Sequence, residues 1–272
     1  MKLTRFLEHL DRVIPLSLAM EDDPVGLHVM AEDRDLTKVG IAYELNGEVI
    51  RKLADSGVEL IIAFHPLIYP HLRSITGKNR VEQSVIDLID SRIALYILHT
   101  AFDAHPRGTS TLLAEALGCE DIHPLVPSPL IEGGGMGAVG RLSSPLPLTQ
   151  LAERLREVCK TAVVRISAPP EGSVEEKEIS TVAILGGSGM SFYSAACSSG
   201  AEAFITADTR YHAFHAANDS IPILDPGHAE SEVFVVEGMT RVVEQCIRDM
   251  ELEKEIEVIP LHDSTNPIRY IV

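Results

Sequence analysis

Several kinds of sequence feature are missing, and each absence excludes a class of protein. There is no tryptophan, no C-x-x-C pair and no apolar run of the length, about 18 residues, that a membrane-spanning helix requires. Glu8 and Asp11 interrupt the apolar residues at the start of the chain, which argues against a signal peptide. The scattered cysteines predict reduced thiols in a cytoplasmic protein, without thiolate zinc sites or redox motifs. They are Cys119, Cys159, Cys197 and Cys246.

Basic residues are also scarce. The 272 residues include 23 Lys and Arg against 40 Asp and Glu, which gives a formal net charge of −17. A field of this sign repels phosphate backbones and anionic membrane surfaces, so we expect neither nucleic acid nor a membrane as a partner. The apolar content of 45% is that of a globular protein with one large or two ordinary domains.

The order of hydrophobic patterns predicts an α/β fold. Leu3, Phe6, Leu7 and Leu10 follow helical spacing, so the chain opens with an amphipathic helix. Strand and helix patterns then alternate, which favours a mostly parallel or mixed sheet covered by helices. The predicted strands are 38–45, 58–64 and 93–100, and the predicted helices are 47–57, 81–90 and 109–118.

A proline- and glycine-rich stretch at 119–147 interrupts this alternation and is interpreted as a domain connection. We therefore predict a first α/β domain over 1–125 and a second over 126–227, with segment 228–272 packing back on the first. An acidic surface loop is expected at 168–178. The other predicted elements of this half are helices 148–160, 189–199, 210–218 and 228–250 and strands 161–167, 180–186, 202–207, 221–225 and 255–262.

Histidines and carboxylates follow four of the apolar strands directly or within a turn. Ligands of open α/β sheets bind beyond the carboxyl ends of the strands, so these side chains are candidates for a common site. Four such strand ends are hard to explain by packing alone. The residues are His65 after the second strand, His99 and Asp103 after the third, Asp208, His212 and His215 after the strand at 202–207, and His228 and Glu232 after the strand at 221–225.

His228 and Glu232 form the sharpest local pattern. Their i, i+4 spacing at the start of a helix places an imidazole and a carboxylate on one face, where they can grip one divalent cation. The alternative is a histidine that caps the first turn, with the glutamate favoured there by the helix dipole. The arrival of His65 and Asp103 from other strand ends favours the metal site.

The remaining candidates have two interpretations each. His99 is either a ligand itself or an outer-shell partner that orients Asp103, and we favour the outer-shell role. One of His212 and His215, taken as His212, is expected to face the site. The segment GGSGMS at 186–191 is either a tight turn between a strand and a helix or an anion-binding helix N-terminus.

Several stretches of the sequence, which follow one another in the order typical of the family, resemble the Nif-three-like proteins, also named GTP cyclohydrolase I type 2 homologues. The resemblance covers nearly the whole chain, and its most specific parts are HT-x-x-D and GH-x-x-x-E. The matching stretches are DDPVGLHV (22–29), AFHPLIY (63–69), HTAFDAHPRGTSTLLAEALG (99–118), GAVGRL (137–142), ITADTRYH (205–212) and DPGHAESE (225–232).

The resemblance implies two α/β domains, a two-metal site in the cleft between them and a ring-shaped homo-hexamer. One metal would be held by His65, Asp103 and Glu232. The other would be held by the first histidine of a His-His-Pro motif, by His228 and by the shared Glu232. Here Phe64 stands at that first histidine and cannot coordinate a cation. We therefore expect one firmly bound divalent ion, such as zinc, iron or manganese, and a second position that is empty or weakly filled.

Two functions fit these expectations. The first is a metal-dependent hydrolase of a small molecule such as a nucleotide, in which the cation activates water. The second is a non-catalytic metal-binding scaffold or regulator, which the loss of a ligand at Phe64 favours. An Asp103→Ala variant that loses activity while the oligomer persists would indicate the enzyme.

Overall fold

The computed structural model describes residues 1–167, 178–217 and 220–271. Two 3-10 turns, Leu16–Leu18 and Met190–Phe192, accompany the helices and strands. The helices are α1 (Leu3–Val13), α2 (Gly47–Asp55), α3 (Arg80–Asp90), α4 (His99–Asp103), α5 (Thr109–Ala116), α6 (Leu148–Val158), α7 (Tyr193–Ser198), α8 (Tyr211–Ala216), α9 (His228–Ser231) and α10 (Val235–Asp249). The strands are β1 (Gly26–Val29), β2 (Lys38–Ala42), β3 (Leu60–Ala63), β4 (Ala94–Ile97), β5 (Cys119–His123), β6 (Val126–Pro127), β7 (Gly135–Met136), β8 (Ala138–Pro147), β9 (Arg165–Ile166), β10 (Glu178–Ser188), β11 (Ala203–Ala207), β12 (Ile223–Asp225) and β13 (Glu257–Pro260).

The first compact unit consists of Met1–Phe102 and Val235–Asn266. Its five-stranded sheet has the order β1-β4-β3-β2-β13, with β1 antiparallel and the other four strands parallel. Every residue of β3 and β4 is buried, as expected for parallel strands that are covered on both faces. These buried apolar runs end at one edge of the sheet, where His65 and His99 follow.

Local signals in the sequence fix the helices of this unit. The side chain of Asn46 accepts hydrogen bonds from the backbone N–H groups of Glu48 and Val49, which caps α2. Gly57 follows the helix with φ +76°, a conformation that glycine adopts without strain. Val49, Ile50 and Leu53 are the buried residues of α2. The predicted helix over 47–57 is therefore confirmed, with its apolar residues in the core.

The second compact unit consists of Asp103–Phe234 and Pro267–Val272. Its main sheet has the order β5-β8-β10-β11-β12-β9. Strands β10, β11 and β12 run parallel, while β5, β8 and β9 add antiparallel pairs. Strands β6 and β7 form a separate antiparallel pair. The predicted α/β class with mixed sheets is confirmed in both units.

The stretch 119–147, interpreted as a domain connection, contains regular strands that the sequence did not predict. This stretch contains β5 and the ten-residue strand β8, which lies between β5 and β10 in the sheet. Gly137 precedes β8 with φ +69°, and Pro145 and Pro147 fall at its far end. The strand centre is free of proline and keeps its hydrogen-bonding groups. Because the prolines lie near the end of the strand, the composition of this stretch did not indicate a strand.

Two further elements differ from the prediction. The long helix over 228–250 is two helices, α9 and α10, with a break at 232–234. Ser231 Oγ donates to the carbonyl of His228, and this side-chain bond competes with helical pairing at that carbonyl. The strand predicted over 161–167 is reduced to β9. The acidic loop lies outside the described residues, apart from Glu178 at the start of β10.

Within the described ranges, no helix combines the length and the apolar character needed to cross a membrane. All four cysteines are free thiols. The cytoplasmic location and the domain boundaries at 125/126 and 227/228 stay predictions.

Candidate metal centre

His228 and Glu232 lie together, as their spacing predicts. Gly227 follows β12 with φ +103°, and this turn begins α9 at His228. The Nε2 atom of His228 lies 3.3 Å from a carboxylate oxygen of Glu232. Glu232 is only 5% exposed, so its charge is held in a largely buried position. The pairing survives although α9 ends at Ser231, because the next residue still completes one turn.

Asp208 contacts the other side of the His228 ring. This residue follows β11 directly and has φ +54°. Its Oδ2 atom lies 2.7 Å from His228 Nδ1. A carboxylate on the second ring nitrogen is the usual outer-shell arrangement of a metal-binding histidine, because it fixes the ring and raises its basicity. The sequence identified Asp208 as a candidate by its place after a strand, but it did not predict the contact with His228.

The two carboxylates change the protonation of His228. The hydrogen bond to Glu232 is the main cause that raises the pKa of His228, to about 10, with Asp208 adding to it against the effect of burial. The imidazole is therefore protonated at neutral pH when no metal is bound. A cation that binds through this ring must displace its proton.

The GGSGMS loop positions Glu232 and does not form an anion cradle. The N–H groups of Gly186, Gly187 and Gly189 already donate to the hydroxyls of Ser110, Ser231 and Thr206 at 3.2, 2.9 and 2.9 Å. Gly187 has φ +67°, and a Cβ there would collide with the carboxylate of Glu232. The tight-turn interpretation is therefore correct, and the turn leaves room for the carboxylate.

In the first unit, Phe64 is a packing residue. It follows β3, is fully buried and lies among four rings, with centroid distances of 6.0 Å to Tyr43, 5.0 Å to His65, 5.5 Å to His99 and 6.5 Å to Phe102. Phe64 therefore places an apolar ring at the position where a metal-binding histidine was expected. His65 keeps an imidazole beside it.

His99 is held by Asp23, which the sequence analysis did not single out although it lies in the DDPVGLHV stretch. His99 Nδ1 lies 2.7 Å from Asp23 Oδ1, and Thr100 donates to the same carboxylate through both its N–H and its hydroxyl. The φ of His99 is +28°, an uncommon backbone conformation for a residue other than glycine. Such outliers cluster at functional sites, where surrounding contacts hold them.

Three side chains form a group that could hold a metal ion. Potential ligand atoms of His65, His228 and Glu232 all lie within 4.8 Å of one another. As found among the described residues, this group does not include Asp103, which ends α4, or His212, which lies in α8 beside the ring of Tyr211. The roles of Asp103, His99 and His212 stay predictions.

We expect Asp23→Asn to lower the urea midpoint, with a loss of about 1–3 kcal/mol at neutral pH. Burial alone would raise the pKa of Asp23, but hydrogen bonds from His99 and Thr100 and the charge of His99 outweigh it and hold the pKa below the ordinary value. Because the folded-state pKa is lowered, the stabilisation is present above the unfolded value, about 3.9, and is lost as the pH falls through the folded value.

The difference in the free energy of unfolding between the unmodified protein and Asp23→Asn should therefore narrow as the pH falls from about 5 to about 3. Asp22→Asn is the matched control, because Asp22 is exposed and the substitution keeps a residue that tolerates its positive φ. An equal loss in both variants, or a difference that does not change with pH, would contradict the role given to Asp23.

Comparisons with known proteins agree with the motifs. The model of the Duf34/NIF3 family (NGG1p interacting factor 3) matches residues 1–267. A "GTP cyclohydrolase 1 type 2 homolog" of Streptococcus pneumoniae is 33% identical over 260 residues, which cover 94% of this chain and 95% of the relative. A protein of the same name from Lactococcus lactis is 30% identical over 268 residues, with 98% of both chains covered.

Solved structures show the same fold. A hypothetical protein of Staphylococcus aureus superposes with a TM-score of 0.90 at 24% identity, covering 100% of this chain and 99% of the other. A Bacillus cereus protein related to NIF3 gives a TM-score of 0.90 at 21% identity with the same coverage. The family match over nearly the whole sequence, with relatives at 33% and 30% identity, shows that the chain belongs to the Duf34/NIF3 family.

Proposed function

We propose that this protein is a metal-dependent hydrolase of a small molecule, with His65, His228 and Glu232 as ligands of one divalent cation. The grouping of their ligand atoms within 4.8 Å is the observation that carries the proposal. Asp103 is proposed as a further ligand on the strength of the HT-x-x-D motif. Two imidazoles and one carboxylate form a donor set typical of a catalytic zinc site, and they also suit iron or manganese.

The surrounding residues prepare these ligands. Asp208 fixes the His228 ring through Nδ1 and leaves Nε2 directed at Glu232. The turn at Gly187 leaves the space that the Glu232 carboxylate occupies. A bound cation would lower the pKa of water and polarise the group under attack. The carboxylate of Glu232 is proposed to accept the proton that the attacking water releases, since it already lies 3.3 Å from His228 Nε2 and accepts its hydrogen bond in the metal-free protein.

The names of the relatives suggest which substrates to test first. The relatives from Streptococcus pneumoniae and Lactococcus lactis are named homologues of a GTP cyclohydrolase, so nucleotides are the first class for a screen. The test begins with the metal content of protein purified without a metal-affinity tag, followed by a hydrolysis screen with and without chelator. We expect about one firmly bound cation per chain and hydrolysis that chelation abolishes. Metal-free protein that binds no added cation would contradict the proposal.

A non-catalytic metal-binding scaffold or regulator is the second candidate. Phe64 favours it, because a fully buried phenyl ring stands where the resemblance places a ligand of the second metal. A one-metal protein that retains its cation and oligomer but hydrolyses no member of the screen would support this function. An Asp103→Ala variant separates the candidates, since loss of turnover without loss of assembly indicates catalysis.

The resemblance also leads us to propose a homo-oligomer, a hexameric ring, as the working assembly. Light scattering coupled to size-exclusion chromatography measures its mass directly. We propose small molecules and other copies of the chain as its partners, and the net charge of −17 argues against nucleic acid and membranes.

A further inference from the structure

A cavity of about 230 Å³ lies beside His228 in the second unit. Asp208 and His228 line it, so the cavity adjoins the ring that Asp208 orients. Arg165 lies in its wall, and Tyr270 comes from the C-terminal segment of the same unit. We refer to this space, with its further lining residues Val163, Asp225, Pro226, Gly227 and Ile268, as the β12 cavity.

Arg165 is a fixed donor in this cavity. Its Nη2 group donates to Asp225, which is 1% exposed and also accepts the N–H groups of Thr209 and Gly227 at 2.9 and 3.0 Å. The guanidinium lies over the ring of Phe214, 5.4 Å from its centroid. The side chain is still 52% exposed. The planar guanidinium is thus held on one edge and can donate from the other.

Asp208 is the acceptor. Its side chain is 52% exposed, and only Oδ2 is used in the contact with His228. A carboxylate accepts several hydrogen bonds, so Oδ1 can receive an N–H from a ligand in the cavity. Asp225 is buried and occupied by its three donors. The donor of Arg165 and the acceptor of Asp208 therefore define the polarity that a ligand must match.

Tyr270 and the aliphatic side chains form apolar walls. The pKa of Tyr270 is raised by burial and by the charge of Glu230, so the phenol stays neutral. Gly227 is required at this point, because a Cβ would lie 2.9 Å from the Tyr270 hydroxyl. The two carboxylates of the lining are already paired, Asp208 with His228 and Asp225 with Arg165, so a neutral ligand leaves both pairs intact. Apolar walls that include the aromatic ring of Tyr270, together with one donor and one acceptor, suit a neutral planar ring.

We propose that the β12 cavity binds a planar cyclic amide, whose N–H donates to Asp208 and whose C=O accepts from Arg165. This inference rests on the proposed function and names the substrate class of that site. Hydrolysis of such a ring consumes one water: a C–O bond forms at the carbonyl carbon, the ring C–N bond breaks, and the nitrogen takes a proton. The product is an open chain that carries a carboxylate and an amine.

Uracil and 1,3-dimethyluracil are a matched pair of probes, because methylation removes both N–H donors and keeps the ring. Binding is measured by saturation-transfer NMR on the full chain in the presence of chelator, so that metal binding plays no part. We expect uracil to bind with a millimolar dissociation constant and the methylated ring to bind at least about tenfold more weakly, as for one lost hydrogen bond. Equal binding of the two rings, or no uracil binding up to about 10 mM, would overturn the proposal.

Variants place the binding in the β12 cavity. Tyr270→Ala should weaken uracil binding by about tenfold, and Arg165→Lys, which keeps the charge and loses the planar fork, by a similar factor. Tyr211→Ala is the control, because Tyr211 is 72% exposed and outside the cavity lining. Unchanged binding in both cavity variants would contradict the assignment. Failure of the protein to bind metal would instead overturn the proposed function and leave these results unaffected.

Discussion

Glu232→Gln is expected to reduce the affinity for a divalent cation by on the order of 100-fold or more, because even outer-shell changes cost about 10- to 100-fold. The substitution keeps the size of the side chain and removes its charge. Glu232 is 5% exposed and 3.3 Å from His228 Nε2, so the variant places a neutral amide at a largely buried position beside the other ligand. Competition of the protein with a fluorescent chelator measures the change.

Glu237→Gln is the matched control, because it removes the same charge from a half-exposed side chain that pairs with Arg241. Its metal affinity should equal that of the unmodified protein. Far-UV circular dichroism should be nearly the same for both variants and for chelated protein, since each unit has its own buried core. If Glu232→Gln bound the cation as tightly as the unmodified protein does, the cation would have to bind at another site.

The same variant also changes how metal binding depends on pH. Proton and cation compete for His228, whose pKa is raised to about 10, so the affinity should rise with pH up to that value. In the metal-free protein the raised pKa contributes stability that is present below the ordinary histidine value, about 6.5, and is lost as the pH rises through about 10. Glu232→Gln removes the main cause of the shift, so the rise of affinity with pH should level off at a lower pH.

The buried parallel strands could be predicted from the sequence because they are apolar runs of distinct length. Strands such as β3 and β11 are buried throughout, and the polar residues that follow them stand out against that background. The spacing of His228 and Glu232 predicted their contact because residues four positions apart in a helix lie one turn apart. This holds whether or not the helix continues beyond Glu232. Patterns that depend on neighbours along the chain could therefore be predicted.

Features that depend on distant partners could not. Asp208 is 20 positions from His228, and Asp23 is 76 positions from His99. Gly187 matters because its missing side chain leaves room for Glu232, which no local pattern reveals. The strand β8 was missed because its flanking glycine and prolines resemble a connection, while its pairing with β5 and β10 comes from elsewhere in the chain.

Phe64→His should raise the metal content from about one to about two divalent cations per chain. The proposed site uses His65, His228 and Glu232, with Asp103 as a further ligand, so without a ligand at position 64 a second cation could bind only through side chains that the first cation already uses. A histidine at 64 would replace a ring that lies 5.0 Å from His65 and 5.5 Å from His99, and would restore the missing ligand. Elemental analysis of both proteins after equilibration with zinc or manganese measures the gain.

The control must introduce a buried histidine without offering a ligand at the second site. Phe102→His does so, because Phe102 is also fully buried and packs edge-on against Phe64 at a centroid distance of 6.5 Å. Both variants should lose stability when metal-free, by about 3 kcal/mol for a buried aromatic exchanged for a polar ring, but only Phe64→His should regain it with metal. Two cations in the unmodified protein, with no gain in Phe64→His, would show that another residue such as His99 supplies the ligand and that the one-metal prediction is wrong.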